Sequence, residues 1–276
     1  VDYYGFNRRL LSLAQVAGVP ALYYISPQVW ASRPKRVTVL KRLVRRMLVI
    51  FPFEQKLYAE AGVACDFVGH PLLDLLPKPI EKDTVSLPLR VGILPGSRRS
   101  EVARHLPLML EGYERLRVHY PQARAYVFAS PNLPDSAYPI GAHRDIALVR
   151  ESDYAARRTL DLAFCSSGTA TLENALLGVP MVVVYKLSWL TYAIARMLVR
   201  VPYISMANIL AGRLLVPELI QARANGRAAA LEAIKLLEDP RRYAQLRRDL
   251  AALRSTLGEP GAANRAAQSI LAEVGR

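Results

Sequence analysis

Residues 160–180 read Leu160-Asp161-Leu162-Ala163-Phe164-Cys165-Ser166-Ser167-Gly168-Thr169-Ala170-Thr171-Leu172-Glu173-Asn174-Ala175-Leu176-Leu177-Gly178-Val179-Pro180. The apolar run 160–164 predicts a buried strand, the small residues after it a tight turn, and the segment closing at Gly178 a helix. Such a turn leaves backbone N–H groups unpaired at the positive end of a helix, a ready site for a diphosphate. Glu173 falls about one helical turn inside, where a carboxylate can accept hydrogen bonds from a ribose diol. The alternative is an ordinary N-cap, with Ser167 or Thr169 holding helix N–H groups and Glu173 merely favourable in the first turns. On these residues alone the two readings weigh equally.

Outward from this stretch the same rhythm repeats. Toward the N-terminus, residues 8–17 predict a helix stopped by Gly18, 20–26 a strand, 34–46 a basic helix, 47–51 a short strand, 52–61 a helix closed by Gly62, and 65–69 a strand. Short strands alternating with helices imply a parallel, doubly wound sheet, so the fold class is α/β. Residues 77–88, with three prolines among mixed charges, break the rhythm and read as a linker. Beyond it, 89–94 predicts a buried strand, Gly96-Ser97-Arg98 a second phosphate-facing turn, and the segment to about His119 a helix. A strand at 123–129 precedes a loop-rich region, 130–152. After the opening stretch come a strand at 180–185, a helical segment at 187–200, and Arg/Ala/Leu-rich helices from Gly226 onward.

The chain has 276 residues, 52% hydrophobic and 22% charged, enough for two cores of ordinary size. Its formal charge of +14 implies anionic company: nucleic acid, phosphorylated substrates or an anionic membrane surface. Cys65 and Cys165 have no paired spacing, and the four histidines stand far apart, so neither a disulfide framework nor a metal site is expected. No stretch is long and apolar enough to span a bilayer, because 181–199 carries Lys186 and Arg196. The chain enters at Val1 directly into turn chemistry, which leads us to expect residues ahead of it.

Two loops, Gly96-Ser97-Arg98 and Ser167-Gly168-Thr169, thus fall at the carboxyl ends of strands in one parallel sheet, where open α/β sheets bind ligands. The sequence has neither a Walker lysine motif nor a G-x-G-x-x-G run, which favours a sugar nucleotide over ATP hydrolysis or hydride transfer.

Seven blocks then stand in order: Val1-Asp2-Tyr3 with Phe6-Asn7, Tyr24-Ile25-Ser26-Pro27-Gln28-Val29-Trp30-Ala31, Phe51-Pro52-Phe53-Glu54, Phe67-Val68-Gly69-His70-Pro71-Leu72, Leu94-Pro95-Gly96-Ser97-Arg98, Ser167-Gly168-Thr169-Ala170-Thr171-Leu172-Glu173, and Asn208-Ile209-Leu210-Ala211-Gly212-Arg213. Together they resemble the lipid-A-disaccharide synthases. The resemblance implies a GT-B glycosyltransferase with two Rossmann-like domains facing a cleft, the first incomplete at Val1. On that pattern residues 1–78 are the remaining acceptor-side domain, 79–88 a linker, 89–240 the UDP-sugar-binding domain, and 241–276 C-terminal helices that cross back or pair with a second copy. It also implies transfer of diacylglucosamine from UDP-2,3-diacylglucosamine to 2,3-diacylglucosamine 1-phosphate, with inversion, on the cytoplasmic face of the inner membrane. Family members carry a Gly/Ser-rich first loop and an apolar docking patch that this sequence lacks, and many have a tryptophan where it has Ser32.

Roles follow from the chemistry of inverting transfer, which needs a base for the acceptor hydroxyl and positive charge for the leaving diphosphate. By resemblance Asp2 is the candidate base; as bare sequence it is a turn-forming residue. Arg98, with Gly96, Ser97, Ser167, Gly168, Thr169, Ala170 and Thr171, would hold the diphosphate, and Glu173 the ribose. Asn208 and Arg213 match positions lining the family's site, with a capping Asn and a solvated Arg as the alternative. Asn7, Gln28 and Trp30 fall on the acceptor side. No metal and no cofactor is expected, since arginine and a helix dipole can carry the charge. The basic residues Arg36, Lys41, Arg42, Arg45 and Arg46 read either as a solvated face or as a surface for anionic lipid headgroups. Two rivals remain open: another UDP-sugar GT-B enzyme, epimerase-like or of the peptidoglycan-transferase type, and a basic nucleic-acid-binding protein. Against the last, no DNA- or RNA-reading motif is present, so no nucleic-acid partner is expected.

Overall fold

Strands joined through helices return in the same direction and pair in parallel. In the computed structural model, which describes residues 3–32, 35–141, 144–189, 192 and 201–274, every strand pairing is parallel. The chain divides into two compact units, Val1–Leu75 with Ala193–Val201 and Ser255–Arg276, and Leu76–Tyr192 with Pro202–Arg254.

The first unit opens with α1 (Tyr4–Val16), β1 (Leu22–Tyr24), α2 (Val29–Ser32), α3 (Arg36–Leu43), β2 (Arg46–Val49), α4 (Pro52–Glu60), β3 (Cys65–Phe67) and α5 (Leu72–Leu75). Its sheet runs β1-β2-β3, with Tyr23 opposite Met47 and Leu48 opposite Asp66. Leu11 of α1, Val37 and Leu40 of α3, Met47 and Val49 of β2 and Tyr58 of α4 share one core. The expected basic helix 34–46 is shorter than its charge run, because the backbone turns extended at Val44 and Arg46 already belongs to β2. Proline at the first position of α4 suits a helix start, where its missing N–H costs nothing.

The second unit contains β4 (Arg90–Leu94), α6 (Arg99–Arg117), β5 (Arg124–Phe128), β6 (Ile146–Val149), β7 (Leu162–Cys165), α7 (Thr169–Leu176), β8 (Met181–Tyr185), α8 (Met206–Ala211), β9 (Glu218–Ile220), α9 (Gly226–Leu237) and α10 (Pro240–Thr256). Strand order is β6-β5-β4-β7-β8-β9, the doubly wound arrangement that winds outward in both directions from a central pair. That pair is β4 and β7, in register with Ile93 opposite Phe164 and Leu94 opposite Cys165. Both strands are almost wholly buried, as their near-continuous apolar runs require. The loop-rich region 130–152 contributes β6, and the segment expected to be helical at 187–200 lies mostly outside the described residues.

Residues 77–88, which read as a linker, are tied into this second unit. The buried Asp161 carboxylate takes Lys82 Nζ, the Ser86 N–H at 2.8 Å and the Arg90 N–H at 2.8 Å, while Arg247 and Arg254 donate to the carbonyls of Ile80 and Pro77. The last helix, α11 (Ala262–Val274), belongs to the first unit. Its Ser269 Oγ donates to Asp66 at 3.1 Å, Arg265 Nε donates to Val68 O at 2.8 Å, and Glu273 receives Arg45 at 2.6 Å and Arg46 at 2.9 Å.

Candidate active site

After β4 the chain winds to one side of the sheet, and after β7 to the other. Their carboxyl ends therefore flank a crevice that no connection crosses. A cavity of about 540 Å³ occupies it, lined by both expected phosphate turns.

The turn after β4 is shaped by Gly96, whose φ of +122° is open to glycine and strained for other residues. A Cβ there would lie 2.6 Å from Glu101 Oε2. Glu101, in the first turn of α6, folds back over the loop. Its Oε2 accepts the N–H groups of Ser97 at 3.0 Å and Arg98 at 3.3 Å, and its Oε1 takes Arg98 Nη1 at 2.8 Å. The donors of this turn thus already face a carboxylate. Arg98 is 79% exposed, so its pairing is loosely held and free to exchange.

The turn after β7 differs. Gly168 has φ +147° and ψ −162°, a region nearly closed to other residues, and a Cβ on it would meet nothing within 4 Å. No side chain caps α7. Ser167 Oγ donates instead to Ile204 O at 2.8 Å, and Thr171 Oγ1 donates to Gly168 O at 2.8 Å while accepting the Met206 N–H at 3.2 Å. Of the two readings of this turn, the capped helix is the one not observed, and the start of α7 opens onto the cavity.

Glu173 reaches the same cavity with both oxygens engaged. Tyr154 Oη donates to Oε1 at 3.0 Å, and Arg157 Nη1 lies 2.5 Å from Oε2. Arg157 Nε also stands 2.7 Å from Glu151 Oε1, close enough for charge attraction though out of line for a hydrogen bond. Burial raises the Glu151 carboxyl above its usual range, against the pull of Arg157. Burial first, and the Glu173 charge second, push the Tyr154 phenol up to about 12, so it remains a donor at neutral pH. Sequence reading missed Tyr154, Arg157 and Glu151, because nothing in the spacing of the 130–158 region shows that one guanidinium sits between acids from two elements.

Gly96, Ser97, Arg98, Ser167, Gly168, Thr169, Ala170 and Glu173 all line the cavity; Thr171, Asn208 and Arg213 do not. Thr171 is buried beneath the turn. Asn208, also fully buried, donates to Val216 O at 2.9 Å and Glu218 Oε1 at 2.8 Å and accepts the N–H groups of Leu215 and Val216 at 2.8 Å each. It ties the segment whose Ile204 and Met206 hold the β7–α7 turn. Arg213 is paired at 2.6 Å with Asp249 on the surface. His105, buried in α6, donates from Nδ1 to Pro95 O at 2.9 Å and accepts the Lys186 N–H on Nε2 at 3.1 Å, and so pins the ends of β4 and β8.

The acceptor-side residues lie in the first unit. Asn7 Nδ2 donates to Tyr23 Oη at 2.6 Å, Gln28 is exposed, and Trp30 Nε1 donates to Glu54 Oε1 at 3.2 Å. Trp30 and Phe53 stack edge-on, and Phe51 stacks on Phe53 and leans on His70, all beyond the carboxyl ends of β1, β2 and β3. Glu54, 1% exposed, is pushed up to about 7 by burial, against the N–H of Phe51 and the indole of Trp30. Burial likewise lowers His70 to about 4. Asp2 lies outside the described residues.

A family profile described as Lipid-A-disaccharide synthetase matches residues 1–274. The lipid-A-disaccharide synthase of Anaeromyxobacter dehalogenans (strain 2CP-1) is 43% identical over 282 residues, which cover 98% of this chain and 73% of that protein. Among solved structures, the UDP-GlcNAc 2-epimerase from Neisseria meningitidis bound to UDP-GlcNAc gives a TM-score of 0.61 over 95% of this chain and 72% of its own, at 12% identity. The calicheamicin glycosyltransferase gives 0.56 over 96% and 70%, at 16% identity. The two structures share the fold with this chain.

Proposed function

This chain belongs to the lipid-A-disaccharide synthase family, and from that premise we propose that the cavity between the ends of β4 and β7 holds its UDP-sugar donor. The chain is a GT-B glycosyltransferase of lipid A synthesis, moving diacylglucosamine from UDP-2,3-diacylglucosamine to 2,3-diacylglucosamine 1-phosphate. The observation that carries the donor site is the convergence of two glycine turns at the switch point of one parallel sheet.

In this reading the diphosphate rests on the uncapped start of α7, and Arg98 leaves Glu101 for the leaving UDP as charge develops on it. Glu173 accepts the ribose hydroxyls. Asp2 is the proposed base, by resemblance to the family. Gln28 and Trp30 shape the acceptor side, while Asn208 acts one step removed by fixing the segment that holds the β7–α7 turn. Arg36, Lys41 and Arg42 of α3 face anionic headgroups, giving peripheral attachment at the cytoplasmic face of the inner membrane, each basic residue contributing ~1 kcal/mol. Arg45 and Arg46 are committed to Glu273 and take no part. No helix among the described residues is long and apolar enough to cross a bilayer.

Calorimetric titration of UDP tests the reading. Saturable binding is expected, weakened by ~1 to 3 kcal/mol in Arg98→Ala, as for one lost charge-assisted contact. Flotation of the same protein with anionic vesicles is expected to fall as salt rises. Absence of any heat with UDP would overturn the donor site.

A further inference from the structure

The cavity contains a row of charge that the roles above leave unexplained. Glu151, Arg157 and Glu173 stand side by side, acid, base, acid, and carry one net negative charge in a pocket read as taking a diphosphate. Acids beside an anion are unfavourable unless they meet hydroxyl donors. Arg157 is 11% exposed and sandwiched, its guanidinium 5.2 Å from the Phe128 ring and 5.1 Å from the Tyr154 ring. Its own backbone N–H donates to Glu151 Oε2 at 3.1 Å, which fixes the base of the side chain as well as its tip.

Glu173 has two carboxylate oxygens with about four acceptor positions between them. Tyr154 fills one on Oε1 and Arg157 one on Oε2. One position on each oxygen is left, the pair that two vicinal hydroxyls require. The guanidinium also offsets the Glu173 charge toward the diphosphate without removing its capacity to accept.

We propose that Arg157 and Tyr154 are positioning residues that hold Glu173 with one acceptor of each oxygen presented to a ribose diol, and so make this site select ribonucleotides over 2′-deoxyribonucleotides. The inference rests on the reading of the cavity as the UDP-sugar site. Its rival is a packing role, in which Arg157 fills space under Phe128 and supports the loop alone.

The test is titration of UDP and of 2′-deoxyuridine diphosphate into the full chain and its Glu173→Gln, Arg157→Met, Arg157→Lys and Tyr154→Phe variants. The expected result is a ribo-over-deoxy affinity ratio that falls about tenfold in Glu173→Gln, nearly as far in Arg157→Met, and about threefold in Tyr154→Phe, with partial recovery in Arg157→Lys. Adding Arg157→Met to Glu173→Gln should lower the ratio no further. If Arg157→Met weakens both nucleotides equally while Glu173→Gln lowers the ratio, the packing role stands and the proposal fails. Should Glu173→Gln leave the ratio unchanged although UDP still binds, the diol assignment fails and takes the proposal with it; no UDP binding at all would refute the cavity reading instead. Where Arg157→Met does not fold, Tyr154→Phe decides, since it deletes one hydroxyl and little volume.

Discussion

Glu54 accepts the Phe51 N–H at 3.3 Å and His70 packs on the Phe51 ring, and burial moves the two groups in opposite directions. Glu54 binds its proton more tightly folded than unfolded, about 7 against 4.5, so its share of stability is complete below pH 4.5 and is lost as the pH rises through about 7. His70 binds its proton less tightly folded, about 4 against 6.5, so its share is complete above pH 6.5 and is lost as the pH falls toward 4. Each effect is worth up to ~3 kcal/mol. Between about pH 4.5 and 6.5 the slopes oppose, and the first unit should show a nearly flat stability profile. Urea unfolding across that range is expected to show stability rising with pH in Glu54→Gln and falling with pH in His70→Asn; parallel profiles in the two variants would contradict the assignment.

The two glycine turns have similar sequence neighbourhoods and different physics. At Gly168 an added Cβ meets no atom, so Gly168→Ala should cost only the backbone conformation, ~1 to 3 kcal/mol. At Gly96 the Cβ must also displace Glu101, the residue that closes the turn, so Gly96→Ala should lose more stability than Gly168→Ala. Denaturant midpoints of the two variants, ranked the other way, would show that Glu101 yields freely. Much of this was legible: an apolar run, a small-residue turn and a closing glycine locate β7, α7 and the open amides, and a second apolar run and glycine turn locate β4 and the start of α6. What was not legible depends on partners distant in sequence. Asn208 read either as lining the site or as a helix cap, and four hydrogen bonds to 215–218 hold it inside the scaffold. Arg157 carried no reading at all in the sequence, and two rings and two acids brought from separate elements make it interior.

Over the whole molecule, period and punctuation indicated a chain of alternating strands and helices, while the assignment of segments to units required contacts. The proline-rich segment 77–88 is bound down by Asp161, Arg247 and Arg254, although its composition reads as a linker. More consequential is the return of α11 to the sheet that begins the chain, where Ser269, Arg265 and Glu273 engage β2, β3 and the residues beside them. On a ribosome the chain emerges from its N-terminus, and domains tend to fold as they appear. Residues 76–192 and 202–254 can close their six-stranded sheet as soon as they emerge, whereas residues 3–75, made earlier, wait for a helix synthesised after all of them. Nascent chains long enough for Arg254 but not Val274 to have left the ribosome should therefore resist protease over 76–189 and 202–254 and be cut within 3–75, with protection of the early segment appearing only once Val274 has emerged. The oldest part of the polypeptide would be the last to mature, leaving its strands in need of a caretaker for most of translation.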